Sequence, residues 1–161
     1  MEKIVVGIDG SDASKGALRW AVEDARARGA EVVALHAYEV VVAVTDAVPT
    51  APVDLFALTA ETHDDAQQFV TKVVDEVVGN SVSVDVAPIA VEDSPAKALL
   101  DAARDADLLV VGSHGHGLSG LFLGSISLEC AQHAACPVVI FRSAAQDERP
   151  TASNDYRTAA P

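Results

Sequence analysis

Residues 108–125 read LLVVGSHGHGLSGLFLGS, and this stretch decides the fold. Leu108, Leu109, Val110 and Val111 form an unbroken apolar run. A strand with one wet face would alternate, whereas a continuous run suits a strand buried on both faces, as in a parallel sheet covered by helices. Gly112, Gly115, Gly117, Gly120 and Gly124 follow within thirteen residues, which lets the backbone approach a bound group closely. A helical pattern opens near Ser125. Free N–H groups at a helix start favour an anion, and a phosphate is the natural candidate.

The same alternation of buried strand and helix extends on both sides. Residues 3–9 (KIVVGID) are a β-branched run ending at a Gly-Ser turn. Ser11 or Ser14 can cap the next helix, whose buried face is Leu18, Ala21, Val22 and Ala25. Arg26 and Arg28 place cations near its last carbonyls, and Gly29 tolerates the left-handed cap. Residues 31–38 read as a second buried strand. Residues 40–55 are apolar, broken by proline and aperiodic, and are expected to form a loop packed on the body. From about Leu58 the positions Ala66, Phe69, Val70, Val73, Val74, Val77 and Val78 step by three and four to a stop at Gly79. Val82, Val84 and Val86 alternate with Ser83 and Asp85, a half-polar strand suited to a sheet edge.

Ser94-Pro95 opens a third helix, with proline in the first turn where its missing N–H costs nothing. Leu99, Leu100 and Ala103 give that helix its buried face. Residues 106–111 are the strand of the opening stretch, a fourth helix runs from near Ser125 to Ala135, and residues 137–141 (PVVIF) are the last strand. The tail after Arg142 has no apolar period and is expected to be disordered. Residues 1–142 therefore form one expected domain and residues 143–161 a tail. No internal repeat is visible.

Five strands alternating with four helices imply an α/β, Rossmann-like fold: a single-domain open parallel sheet with helices on both faces and right-handed crossovers. Ligands of such sheets sit beyond the strand C-termini, where the strand order reverses. Two suggestive turns follow strands, residues 7–11 (GIDGS) and residues 112–125. If those strands are neighbours, both turns line one crevice.

Composition excludes several classes. The chain of 161 residues is half apolar and carries a formal net charge of −13. Phosphate backbones and anionic membranes demand Lys and Arg, so neither a nucleic acid nor a membrane surface is an expected partner. No run reaches the length of a membrane-spanning helix, and the N-terminus enters a strand pattern at once, so a cytoplasmic protein is expected. Cys130 and Cys136 have neither redox nor zinc spacing and read as free thiols.

Several segments together resemble the universal stress protein family: VVGIDGSDAS near the start, ALHA in the second strand, SPAKALLDAARDADLLVVGSHG, FLGSIS and HAACPVVIF. They cover nearly all of residues 1–142 in matching order. The resemblance implies a five-stranded parallel sheet of order 3-2-1-4-5 and a homodimer, often through the last strand, residues 137–141. An unpaired apolar edge there invites such pairing. It also implies an ATP-binding regulatory module for stress response, because many members bind ATP through G-x2-G-x9-G-(S/T). Here Gly112-x2-Gly115 and Gly124-Ser125 fit, but eight residues rather than nine lie between Gly115 and Gly124. A nucleotide-free dimeric interaction protein is the alternative that this shorter middle favours.

Carried over by resemblance, Asp9 is the acidic residue near the nucleoside, flanked by Ile8 and Gly10. Ala37 is the position whose backbone reads the adenine edge, and Val111 and Gly112 lie beside the ribose. Gly115, Gly124, Ser125 and Ile126 match phosphate-binding positions, and Gly117 belongs to the same loop. With no Lys or Arg in that loop, a triphosphate is expected to bring a divalent ion, Mg or Mn, held by phosphates and water. Bland roles stand beside these: Asp9 bracing its turn, Gly115 and Gly117 making a tight turn, Ser125 capping the helix. His114 and His116 lack a third metal ligand and are read as lying near phosphates, and His36 and His133 as packing residues. No nucleophile and base are visibly paired, and neither a G-x-S-x-G elbow nor a P-loop is present. Slow ATP hydrolysis is the most enzymatic activity expected.

Overall fold

Successive side chains of each strand fall into two separate cores, and that alternation builds the architecture. The computed structural model describes residues 1–40, 62–79, 84–114 and 123–142. Strands β1 (Lys3–Gly7), β2 (Glu31–Tyr38), β3 (Val86–Glu92), β4 (Leu108–Gly112) and β5 (Val138–Phe141) form one sheet of order β3-β2-β1-β4-β5. All four pairings are parallel. Helices α1 (Asp12–Arg28), α2 (His63–Val78), α3 (Pro95–Ala102) and α4 (Ser125–His133) connect and cover it.

Ile4 and Val6 of β1, Val32 and Ala34 of β2, and Leu108 and Val110 of β4 pack against Leu18, Ala21 and Val22 of α1 and Val70, Val73 and Val74 of α2. Their sequence neighbours Val5, Leu35, Leu109 and Val111 point the other way, to Ala98 and Leu99 of α3 and Cys130 of α4. A period of two with both sets apolar is what a sheet sandwiched by helices requires. It also explains why the central strands read as continuous apolar runs. Cys130 behaves as one of these small apolar groups, since burial pushes its thiol pKa up to about 11.

The helix ends follow local chemistry. Of the two candidate caps of α1 the structure uses Ser11, whose Oγ accepts from the Ser14 N–H at 3.2 Å. Gly29 closes that helix with φ 69°, and its N–H donates to the Ala25 carbonyl. α2 starts at His63, after a reciprocal Thr62–Asp65 capping box, and Gly79 ends it. The part of the helix expected from Leu58 to Glu61 lies outside the described residues, as do the loop from Val41 onward and the tail from Ser143.

One element differs from the sequence reading. The third strand is Val86–Glu92, not residues 82–86; Ser83 and Val82 lie outside the described residues, and Val84 forms a bend. The valine–serine alternation resembles a strand, whereas the strand that forms carries Pro88 in its interior. Pro88 is tolerated because β3 is a sheet edge, as expected, so no second partner needs its missing N–H. The edge is further closed by Gln67 of α2. Its Nε2 donates to the Pro88 carbonyl and its Oε1 accepts from the Ala90 N–H, both at 2.9 Å. One side-chain amide thus bonds the groups flanking Ile89 as a neighbouring parallel strand would.

Candidate functional site

The strand order reverses between β1 and β4. From β1 the chain turns into α1 on one face, while α4, which follows β4, lies on the other. The diverging connections leave a cleft beyond the strand C-termini, as the geometry of open parallel sheets dictates. Its volume is about 270 Å³. Gly7, Ile8 and Asp9 line it from the end of β1, Leu35, His36 and Ala37 from β2, and Val111, Gly112 and His114 from β4. Pro95 and Leu99 of α3 add an apolar wall; Gly124, Ser125, Ile126 and Ser127 form the entry to α4, and Ser14 comes from α1.

The cleft therefore gathers Ile8, Asp9, Ala37, Val111, Gly112, Gly124, Ser125 and Ile126, all expected from the sequence. Gly10 is not among its lining residues; it turns the chain away into α1 with φ 81°, a conformation that suits glycine. Gly115, Gly117 and His116 lie outside the described residues. His36, read as a packing residue, does pack on Phe69, with ring centroids 4.6 Å apart, yet it also lines the cleft. Its Nδ1 lies 2.8 Å from the Ile8 carbonyl, an acceptor, so that nitrogen carries a hydrogen.

Asp9 braces its turn: Oδ1 accepts from the Ser11 N–H at 2.9 Å and from the Ser11 hydroxyl at 2.6 Å. Ser14 Oγ donates to the Ser11 carbonyl at 3.0 Å and accepts from the Asp9 N–H at 3.4 Å. The bracing role is thus real and holds the carboxylate at the cleft rim. Asp9 is the only formally charged side chain among the described lining residues.

Across the cleft, both ends of the glycine stretch are fastened together. Gly124 N–H donates to the Ser113 carbonyl at 2.9 Å, and Ser127 Oγ donates to the Gly112 carbonyl at 2.6 Å. These bonds fix the start of α4 against the end of β4. The cap of α4 is Gly124 rather than Ser125, and no side chain caps the helix. Ser125 is its first residue and is exposed. The first-turn N–H groups have no intrahelical acceptor, so this end of the cleft offers donors and the positive end of a helix dipole. Sequence reasoning missed Ser14, Leu35, Pro95, Leu99 and Ser127 as lining residues. Ser127, two positions after Ser125 in FLGSIS, gave the one available signal.

Among the described residues no group of three or more His, Cys, Asp or Glu is placed to hold a metal ion, and no helix is long and apolar enough to cross a membrane. Residues 1–142 match the model of the universal stress protein family. The chain belongs to that family. A universal stress protein of Mycobacterium tuberculosis is 34% identical over 143 residues, spanning 86% of this chain and 45% of that protein. The chain thus spans about half the length of the curated relatives it matches. Among solved structures, a universal stress protein from Lactobacillus plantarum is 25% identical with a TM-score of 0.62, covering 88% of this chain and 97% of that one. A universal stress protein in complex with cAMP is 26% identical with a TM-score of 0.63, covering 88% and 96%. The five-stranded parallel sheet of order 3-2-1-4-5 is the universal stress protein fold.

Proposed function

We propose that the cleft of this universal stress protein binds an adenine nucleotide, ATP with Mg or Mn, and that occupancy regulates contacts of a cytoplasmic homodimer. One observation carries the reading. The uncapped first turn of α4 is bonded to the end of β4 and faces the same cleft as Asp9, at the switch point of the sheet. Such a helix start suits phosphate oxygens, the apolar wall of Pro95, Leu99 and Val111 suits a base, and Asp9 is an acceptor for hydroxyl groups. The cAMP complex of a related family member supports a nucleotide of this class. A divalent ion would neutralise triphosphate charge in a cleft whose described lining residues include no Lys or Arg.

The shorter glycine loop does not displace its anchors, since the Gly124–Ser113 and Ser127–Gly112 bonds hold both ends. For assembly, Gln67 and Pro88 obstruct the β3 edge, which favours the half-buried β5 edge (Val138–Phe141) for pairing with a second copy. Isothermal calorimetry tests the central step. Purified chain titrated with ATP and Mg should give a saturable one-to-one heat. Absence of heat, together with no adenine nucleotide released on denaturation, would leave the nucleotide-free interaction protein as the better reading.

A further inference from the structure

Ser11 is not among the lining residues of the cleft, yet two of its groups hold Asp9, which is. Gly10, with φ 81°, folds the chain so that the Ser11 N–H and hydroxyl both reach Asp9 Oδ1, at 2.9 and 2.6 Å. That hydroxyl carries one hydrogen, and two acceptors are in reach: Asp9 Oδ1 and the His114 carbonyl, the latter at 3.5 Å. The shorter bond, to a carboxylate, takes it. The same Ser11 oxygen accepts from the Ser14 N–H at 3.2 Å and so also caps α1. Ser11 is 9% exposed, which keeps water from competing for these bonds, whereas Asp9 is exposed. An exposed aspartate with no such brace samples several rotamers and must be ordered when a ligand binds. One held by two bonds from its own turn is ordered before the ligand arrives.

We propose that Ser11 is a positioning residue of the cleft, presetting the Asp9 carboxylate to accept from the vicinal hydroxyls of a ribose through the same side chain that caps α1. This rests on the nucleotide reading and sharpens it. The two bonds from Ser11 commit Oδ1 to the turn and fix the plane of the carboxylate. The brace is itself rigid, because the first turn of α1 lies against the end of β4, where Ala13 and Ser14 approach Gly112. The orientation of Asp9 is therefore set by the body of the sheet rather than by a free loop, as a preorganised site requires. Such a site selects a sugar that keeps its hydroxyls over a deoxygenated one.

The test compares ATP with 2′,3′-dideoxy-ATP, which lacks both hydroxyls, each with Mg, on the full chain by calorimetry. The unsubstituted chain should prefer ATP. Ser11→Gly deletes the hydroxyl but keeps the N–H and nearly all of the capping preference, since glycine serves well at a helix N-cap. It should weaken ATP binding about three- to tenfold and leave the dideoxy compound within about twofold. Ser11→Ala should have the same effect on the two ligands while lowering thermal stability further, and Ser11→Thr, which keeps a hydroxyl, should retain the preference. In an Asp9→Ala background, Ser11→Gly should change neither affinity, because no carboxylate remains to be positioned. Equal losses for the two ligands, losses that follow the thermal stability of the variants, or a loss that persists without Asp9 would overturn the proposal. A preference for ATP that survives Ser11→Gly overturns the role of Ser11 alone and leaves the nucleotide reading intact. If the unsubstituted chain binds both ligands equally, the hydroxyl role of Asp9 fails and the positioning role with it; if it binds neither, the nucleotide reading itself fails and both roles fall.

Discussion

Gly112→Val should both destabilise the fold and abolish nucleotide binding. Gly112 ends β4 where the strand passes directly beneath the N-terminus of α1. A Cβ there would lie 3.0 Å from Ala13 Cβ and 3.1 Å from the Ser14 backbone nitrogen. Neither contact is the movable tip of a side chain, so the first turn of α1 must retreat or β4 must shift in the sheet. Overpacking of this kind costs about 1–3 kcal/mol, and valine adds two methyl groups to the clash. The movement reaches the cleft because Ser14 bonds the Asp9 N–H and the Ser11 carbonyl. Chemical denaturation should show the loss of stability, and calorimetry at a temperature where the variant remains folded should show no ATP heat. Gly124→Ala is the contrast: its Cβ would sit in ordinary contact, 3.4 Å from the Ser113 carbonyl oxygen, so stability should change little. If Gly112→Val matched the unsubstituted chain in both measurements, the close approach of β4 and α1 would be wrong.

Leu109→Ala should produce the larger loss of stability. Leu109 is fully buried at the centre of the sheet, on the face covered by α3 and α4 and packed within the same cluster as Leu99 and Val111. Removing it deletes the transfer free energy of the side chain and leaves a cavity that the paired strands on either side cannot close. Such substitutions cost about 2–5 kcal/mol. For a domain of this size each kcal/mol lowers the melting midpoint by about 2–4 °C, so a fall of roughly 5–20 °C is expected. The cavity would open beneath the wall that Leu99 and Val111 lend to the cleft, and ATP affinity should fall as well. A midpoint within about 2 °C of the unsubstituted chain would contradict the packing described for this face.

The features legible in the sequence were those with a local physical cause. β2 is legible because its run of eight residues is bounded by Gly29 and a loop, and α1 because Ser11 and Gly29 mark its ends. The first turn of α3 is legible in Ser94-Pro95. β3 was not, because edge strands carry mixed composition and the compensation for Pro88 comes from Gln67, twenty-one residues earlier in the chain. The candidate site divides the same way. Asp9, Gly112 and Ser125 follow strand ends in chemically marked turns and can be read directly. Pro95, Leu99 and Ser127 enter the cleft only because crossovers bring α3 and α4 over one face, which no local pattern records. His36 is legible only as a packing residue; its partner Phe69 and its second role at the cleft need the assembled fold, with β2 beside β1. The place of Gly124 as cap, leaving Ser125 outside that role, depends on bonds from Ser113 and Ser127 that only the assembled sheet provides.

Amide chemical-shift mapping tests the central claim most directly. Nitrogen-15-labelled chain titrated with ATP and Mg should show its largest saturable shifts at Asp9, Ala37, Gly112, Ser125 and Ile126, the residues that four different elements bring to the cleft. Saturation without movement of these amides, or shifts confined to the β3 or β5 edge, would contradict nucleotide binding at the switch point.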